Sequence, residues 1–299
     1  MGGEAHASRL SARCVCDRLR PAGTIARRTE RGPRRAALST RTAAVTTVHP
    51  VDHTLPDVLA LAWERVVSDV ADRQPAPEPA VLLGTAVAAL ILVLWRPAWR
   101  RARHVVTIAH EGGHAVVAML CGRRLSGVRL HSDSSGLTVT RGRASGPGAI
   151  ATFAAGYPAP TLVGLGAAAL LSRGYALAAL WAAVLVLALL LVQIRNFFGL
   201  YVVLLAAAVV VGVSWWAAPE VKVALAHLGT WFLLLAAPRA VVELQRVRRR
   251  GRGHESDADQ LARLTRIPGG VWVAVFATVT VGGAVLGVLL LAAGAGSPP

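Results

Sequence analysis

Cysteine is scarce in this sequence, and the few cysteines exclude a disulfide-stabilised fold. Only three occur among the 299 residues, namely Cys14, Cys16 and Cys121. Small secreted domains that depend on disulfides contain many more, at regular spacings. Cys14 and Cys16 form a lone C-x-C pair, which is weak support for a metal site because such pairs arise by chance. The cysteines therefore indicate no disulfide framework.

Acidic residues are also scarce, since 16 Asp and Glu stand against 32 Lys and Arg, for a formal net charge of +16. An excess of this size could indicate nucleic-acid binding. The arginines, however, cluster between hydrophobic segments and not on a compact polar domain. That distribution follows the positive-inside rule of membrane proteins. We therefore expect the lipid bilayer, and no nucleic acid, as a partner.

Hydrophobic residues make up 54% of the chain, which is too many for an ordinary soluble domain. A bilayer is crossed by roughly 20 apolar residues. The candidate spans are residues 80–95, 105–121, 148–171, 174–194, 197–218, 221–244 and 271–294. The first two are short. The sequence thus predicts an all-α, multi-pass protein of the cell membrane, with a polytopic bundle of about six to seven transmembrane helices.

The sequence divides into two regions of different composition. Residues 1–79 are polar and rich in Arg and Ala, which predicts a disordered basic N-terminal arm with at most a short helix at 58–70. A transit peptide and an over-extended start codon are alternative explanations of this arm. The first apolar segment begins near Ala80, too late for a cleavable signal peptide. Residues 80–299 are predicted to form the integral membrane domain.

Seven spans with the arm inside would place the loops 122–147 and 245–270 on the same, inner side of the membrane. These loops carry most of the basic residues outside the arm. Arg100 and Arg103, together with Arg96 and Arg101, would then lie outside, against the positive-inside rule. If the first segment only lies on the membrane surface, the orientation of everything after it is inverted.

His110, Glu111, Gly112, Gly113 and His114 form an HExxH motif within the second apolar run. On a helix, residues four apart share a face, so both imidazoles can bind one metal ion while Glu111 activates a water molecule. An acid near the centre of a membrane helix costs roughly 2.5–3.5 kcal/mol, so the motif indicates a functional site. The two glycines would let another helix or a substrate backbone approach. The alternative is a buried polar triad that stabilises helix packing.

Apolar residues alternate with polar ones after the motif, at Val128, Leu130, Leu137 and Val139, which predicts a β-hairpin. It is either a plain solvated hairpin or an edge strand beside the site, to which an extended substrate could add. Further along, residues 156–160 contain two prolines that interrupt the third span.

Two polar segments lie farther along the chain. Arg195 and Asn196 join two spans and are interpreted as a hairpin turn at the interface, with a role of Asn196 in the site as the alternative. Ser256 can cap a short helix that carries Asp257 and Asp259 in its first turn.

The sequence resembles the site-2-type intramembrane zinc metalloproteases, and more closely a bacterial branch of HExxH membrane metallopeptidases. The resemblance covers about residues 104–290. The matching segments are 110–115, Gly122-Arg123, the hairpin with Ser135-Gly136, Ala155-Gly156-Tyr157, 195–199, Ser256-Asp257-Ala258 and 265–272.

The resemblance implies that His110 and His114 bind Zn²⁺ and that Glu111 is the general base. Zinc needs a third protein ligand, which site-2 proteases usually take from an LDG-type motif that this sequence lacks. The candidates are Asp257, in the recurrent Ser-Asp-Ala element, then Asp259 and then Glu243. Asp257 has the alternative interpretation of a helix-capping acid in a solvated loop.

The activity that the resemblance implies is that of a zinc metalloendopeptidase, which hydrolyses peptide bonds of membrane-embedded, transmembrane protein substrates. A catalytically inactive, protease-like scaffold or client-binding protein is the main alternative. A transporter with an intramembrane metal or proton site is a weaker one, because no inverted repeat is visible.

Overall fold

The structure, a computed structural model, describes residues 54–133, 135–251 and 256–295, which belong to one compact unit. These residues form ten helices and a two-stranded antiparallel sheet. In chain order they are α1 (Leu55–Ala71), α2 (Pro79–Leu94), α3 (Arg96–Leu120), β1 (Arg124–Leu130), β2 (Gly136–Arg141), α4 (Pro147–Ala155), α5 (Pro158–Leu171), α6 (Ala176–Gln193), α7 (Phe197–Trp216), α8 (Pro219–Arg249), α9 (Asp257–Thr265) and α10 (Gly269–Ala295). The predicted helical membrane bundle with a small hairpin after the HExxH helix is confirmed.

Four helices, α6, α7, α8 and α10, are long and apolar enough to cross a membrane. Two bent pairs meet the same criterion only when each is taken together: α2 with α3, at 99°, and α4 with α5, at 64°. The predicted break of the third span around Gly156 is therefore confirmed. The first two predicted spans form one bent pair, so the described residues provide up to six crossings and not seven.

The bend between α2 and α3 has a local cause. Trp95, between the helices, has an extended backbone (φ −78°, ψ 115°), and Pro97 lies in the first turn of α3. Proline supplies no N–H to the preceding turn, so α2 cannot continue with its regular hydrogen bonds through this position. The chain therefore starts a new helix at Arg96, in the segment that the sequence placed between two predicted spans.

Hydrogen bonds between distant segments show that the bundle has two ends. At the α1 end (residues 54–78, 172–176 and 214–219), Gln74 N donates to Gly174 O at 2.8 Å. At the hairpin end (residues 96–104, 124–141, 194–197 and 243–269), Trp99 Nε1 donates to Glu243 Oε1 at 2.6 Å. Helices α2, α6, α7, α8 and α10 each run from one end to the other.

This arrangement corrects the predicted topology. Helix α1 and the loop 122–147 lie at opposite ends, because α2 crosses the bundle once and the chain then bends by 99° before α3. Arg100 and Arg103 consequently lie at the same end as the basic residues that close α8, so they no longer violate the positive-inside rule. The short helix predicted at 58–70 is present as α1, whereas residues 1–53 of the predicted arm lie outside the described residues.

Three clusters of buried apolar side chains hold the elements together. The largest joins α2, α3, α5, α6, α8 and α10 around Phe232 and Leu234. The second lies under the hairpin, with Val128 and Leu130 against α6 and α7. The third packs α9 against α8 and α10 through Leu261. The two smaller clusters fix the hairpin and α9 on either side of α3.

Candidate metal centre

Helix α3 carries the HExxH motif on a face that contacts α4 and α9. The Nε2 atoms of His110 and His114 are 3.1 Å apart, and the rings are perpendicular with centroids 4.6 Å apart. His114 and Glu111 are buried, at 7% and 4% exposure. The shared face expected from the spacing is therefore present, and each imidazole turns a ring nitrogen towards the same point.

Asp257, the first residue of α9, is the acid that meets both histidines. Its Oδ2 atom lies 3.2 Å from Nε2 of His110 and 3.2 Å from Nε2 of His114. The predicted capped helix is present, since the Ser256 side chain accepts a hydrogen bond from the backbone of Asp259. The cap and the buried Leu261 fix the start of α9, and thereby the carboxylate of Asp257, against α3.

The other two candidate ligands lie elsewhere. Asp259 accepts hydrogen bonds from Arg248, the shortest at 2.7 Å. Glu243 accepts from Trp99 and also faces Arg103, at 3.7 Å. Both acids are held by arginine or tryptophan donors, and the structure does not bring either one to the histidines.

The three convergent side chains fit a zinc ion. Among the described residues, His110, His114 and Asp257 are the one such group, with ligand atoms within 4.8 Å of one another. Zinc bonds of 2.0–2.2 Å in a tetrahedral arrangement put neighbouring donor atoms roughly 3.3–3.6 Å apart. The observed separations of 3.1–3.2 Å lie just below this range. Two imidazoles and a carboxylate are also a donor set that catalytic zinc sites use, with a fourth position left open.

Groups around the histidines orient them for this purpose. Nδ1 of His114 donates to the carbonyl of Thr152 at 2.7 Å, which leaves the lone pair of its Nε2 for a ligand bond. The Tyr157 ring packs edge-on against His110, with centroids 4.7 Å apart. A Cβ atom at Gly156 would overlap the rings of both histidines. The break between α4 and α5 therefore forms one wall of the site.

Glycine in the motif allows close packing, as predicted, at one of its two positions. A Cβ atom at Gly113 would overlap that of Ala159, so α5 approaches the backbone of α3 directly. At Gly112 a Cβ atom would meet nothing within 4 Å. The close approach thus concerns Gly113, and the space beside Gly112 is open.

Glu111 faces the hairpin. Its Oε2 atom accepts a hydrogen bond from the Thr138 hydroxyl at 2.5 Å. A Cβ atom at Gly136 would overlap the carboxylate, so β2 lies directly against this side chain. The hairpin is therefore a wall of the site, which favours the second of the two interpretations offered for it.

Asn196 does not reach the metal-binding group but fixes the hairpin. Its Oδ1 accepts from the backbone N–H of Leu130 at 3.1 Å, and its Nδ2 donates to the carbonyl of Leu130 at 2.6 Å. Arg195 N also donates to Val128 O at 2.9 Å, beside a parallel bridge between Val128 and Ile194. The outer edge of β1 is thus occupied, and in the described chain the unpaired edge of the sheet is that of β2.

Sequence reasoning did not identify Thr138 or Thr152. Thr138 lies between Leu137 and Val139 in an alternating strand, so its position on the opposite face was a signal that could have been used. Thr152 contributes its backbone carbonyl, and a contact of this kind cannot be predicted from the residue type. Its hydroxyl bonds back to Gly148 O at 2.7 Å within its own helix, as threonines in apolar helices commonly do.

Comparison with known families agrees with this geometry. The family model described as Peptidase M50B-like matches residues 83–287 of the 299, a stretch that includes α3, the hairpin and α9. Comparison with curated proteins and with solved structures gives no match. The resemblance drawn from the motifs is therefore confirmed, and the chain belongs to the Peptidase M50B-like family of site-2-protease-like metallopeptidases.

Proposed function

We propose that this protein is an intramembrane zinc metalloprotease that hydrolyses peptide bonds of transmembrane protein substrates. The observation that carries the proposal is the convergence of Asp257 on His110 and His114 beside the buried Glu111. Four groups of this kind are costly inside an apolar bundle, so they are expected where they have a function. His110, His114 and Asp257 would hold the zinc ion.

The chain's own residues supply the acid–base chemistry. When bound, zinc would polarise the scissile carbonyl and lower the pKa of a water molecule to roughly 7. Glu111 takes the proton that this water loses as its oxygen bonds to the carbonyl carbon, and passes it to the nitrogen of the leaving amine as the C–N bond breaks. Thr138 holds Oε2 of Glu111, which leaves Oε1 free for the proton.

The position of β2 supports an extended substrate. A transmembrane helix hides its carbonyls in its own hydrogen bonds, so it must unwind before its backbone can be attacked. The open edge of β2 offers backbone groups to such a strand next to Thr138 and Glu111. We infer that the substrate adds to this edge.

The distribution of charge supports an orientation. At the α1 end, the basic residues of the described chain are Arg65, Arg73 and Arg173, and Lys222 follows in the first turn of α8. The hairpin end carries many more, among them Arg96, Arg100, Arg101, Arg103, Arg246, Arg248, Arg249 and Arg250. Counted over residues 54–295, and without the ten arginines of residues 1–53, the positive-inside rule then places the hairpin and the metal centre towards the cytoplasm of the cell membrane.

The test measures metal content and cleavage separately. Full-length protein is purified, its zinc is counted by mass spectrometry, and it is reconstituted with a single-span reporter whose membrane segment contains Gly and Pro. We expect about one zinc per chain and cleavage that a chelator abolishes. Glu111→Gln should keep the zinc and lose cleavage, because an amide cannot accept the proton.

Glu243→Gln is the matched control, since this acid was a candidate ligand but is held by Trp99 and arginine. It should retain both zinc and cleavage. Undiminished cleavage by Glu111→Gln would overturn the mechanism. A wild-type protein that binds zinc and captures the reporter without cutting it would instead support the inactive scaffold.

A further inference from the structure

Helix α1 docks on the bundle through polar side chains. Arg65 donates to the carbonyl of Trp215 at 2.6 Å, and its guanidinium lies 4.9 Å from the centre of that ring. One turn later, Asp69 accepts a hydrogen bond from Trp181 Nε1 at 3.0 Å. The docked side of α1 therefore carries polar contacts beside two half-buried apolar residues, Ala62 and Val66.

The remaining surface of α1 has two flanks of opposite character. Leu55, Leu59 and Trp63 lie in a row, four residues apart, and are 79%, 67% and 69% exposed. Asp57 and Glu64 lie on another side and are exposed as well, with the exposed Leu61 between them. At 3.6 residues per turn, the docked side, the apolar flank and the polar flank each occupy about a third of the circumference. Val67 and Val70 extend the apolar flank.

An apolar flank this exposed needs an apolar partner. The spans α6 and α7, to whose ends α1 is docked, expose large apolar side chains such as Leu189 and Leu205 towards the surroundings. In a membrane protein such surfaces face lipid, so the apolar flank of α1 continues a surface that the bilayer already covers.

Aromatic residues mark the same level of the bundle. Four of the eight tryptophans of the chain are Trp63 on α1 and three near the ends of α6 and α7 that α1 approaches: Trp181, Trp215 and Trp216. Trp216 is almost fully exposed. Tryptophan is enriched where the hydrocarbon of a bilayer meets its headgroups. The α1 end therefore has the composition of a membrane interface.

We propose that α1 is an interfacial helix that lies in the membrane leaflet opposite to the metal centre. Its apolar flank inserts at the boundary between headgroups and acyl chains, its polar flank faces water, and its third side binds the ends of α6 and α7. The partner of this surface is the lipid bilayer. Amphipathic helices of this kind bury their apolar face roughly 5–10 Å into the interface.

The experiment compares the two flanks in the full-length protein. Cys14, Cys16 and Cys121 are replaced by serine, and single cysteines are introduced as Leu59→Cys or Val67→Cys on the apolar flank and Asp57→Cys or Glu64→Cys on the polar flank. Each variant carries a nitroxide label in phosphatidylcholine–phosphatidylglycerol vesicles. Collision rates with oxygen, which concentrates in lipid, and with a nickel chelate, which stays in water, are measured by power saturation.

The ratio of oxygen to nickel collisions should be several-fold higher on the apolar flank than on the polar flank. Leu205→Cys on α7 gives the lipid reference and Asp133→Cys in the hairpin turn the aqueous one. Equal ratios on the two flanks would overturn the proposal, because α1 would then lie in water. Low collision rates with both reagents on the apolar flank would also overturn it, because protein and not lipid would cover the helix. Two sites on each flank guard against a single variant that fails to fold, and no readout depends on proteolysis.

Discussion

The hairpin end and the α1 end use their acidic side chains differently. At the hairpin end, Glu243 and Asp259 are each held by arginine, as expected where arginine is abundant. Glu111 and Asp257 lie at the same end, yet Glu111 contacts a hydroxyl and Asp257 contacts two imidazoles. In the described part of the chain, neither forms an ion pair with arginine. Among the acids of this end that are not exposed, those without arginine partners are thus the ones that converge on a site.

At the α1 end, acidic and basic side chains serve attachment. Asp69 binds an indole N–H, Arg65 binds a backbone carbonyl, and Arg73 binds the Tyr175 hydroxyl at 3.1 Å. These groups are largely on the surface. Polar contacts thus build a candidate metal centre at one end and attach a helix at the other. Substitutions at the two ends should therefore affect metal binding and stability separately.

The largest effect is expected for the acid that meets the histidines. Asp257→Ala removes a proposed ligand, so zinc affinity should fall by more than about 100-fold, beyond the 10–100-fold that the loss of an outer-shell partner costs. Titration with a competing chelator measures this affinity. Asp259→Ala, two residues farther along α9, should retain zinc within a few-fold. Equal losses in both variants would mean that α9 only positions another ligand.

A smaller effect is expected where the backbone approaches the histidines. Gly156→Ala places a methyl group against both rings, and zinc affinity should fall by roughly 10–100-fold because the imidazoles must turn away. Gly112→Ala is the matched control, since it has open space and sits in the motif itself. It should keep its zinc and gain up to about 1 kcal/mol of helix stability. A normal affinity in Gly156→Ala would show that the histidines need no such wall.

Weakening the attachment of α1 to the bundle should lower stability without changing zinc binding. Trp181→Phe removes the donor to Asp69, and thermal unfolding in detergent should show a loss of about 1.5 kcal/mol, the low end for a hydrogen bond to a charged group. Zinc content should not change. Trp216→Phe, at an exposed position, should alter neither quantity. Loss of zinc in Trp181→Phe would mean that the two ends are coupled.

Features encoded within a few residues were predictable from sequence. The i, i+4 spacing fixed His110 and His114 on one face, and alternation fixed the hairpin. Ser256, as a capping residue, predicted the start of α9. Each depends on the local period of the backbone or on a side chain that bonds to its own turn.

Features that depend on distant contacts were not predictable. The resemblance put Asp257 before Asp259 and Glu243, but the residues alone could not choose among them, because sequence does not show which acids find arginines in the folded chain. The bend after α2 was missed because two short apolar runs look like two short spans. Only contacts such as that between Trp99 and Glu243 reveal that α3 begins at the hairpin end.

The smallest effect is expected for the ion pair that secures α9. Arg248 binds Asp259 and holds the pKa of that carboxyl below its ordinary value. Arg248→Gln should therefore lower stability at pH 7 by roughly 0.5 kcal/mol, as for other pairs near a surface. Arg249→Gln, whose side chain is exposed and adjacent, is the control and should have no effect.

The pH dependence of the stability tests whether the ion pair between Arg248 and Asp259 causes this effect. A carboxyl whose pKa is lower in the folded state contributes stability above its unfolded value of about 3.9, and this contribution is lost as the pH falls through the folded value. The difference between wild type and Arg248→Gln in thermal unfolding should therefore shrink below a pH of about 4. A difference that stays constant with pH would assign the effect to packing of the Arg248 stem. In that case the charge of Arg248 would not be what separates Asp259 from Asp257. The two acids would then differ only in their distance from the histidines.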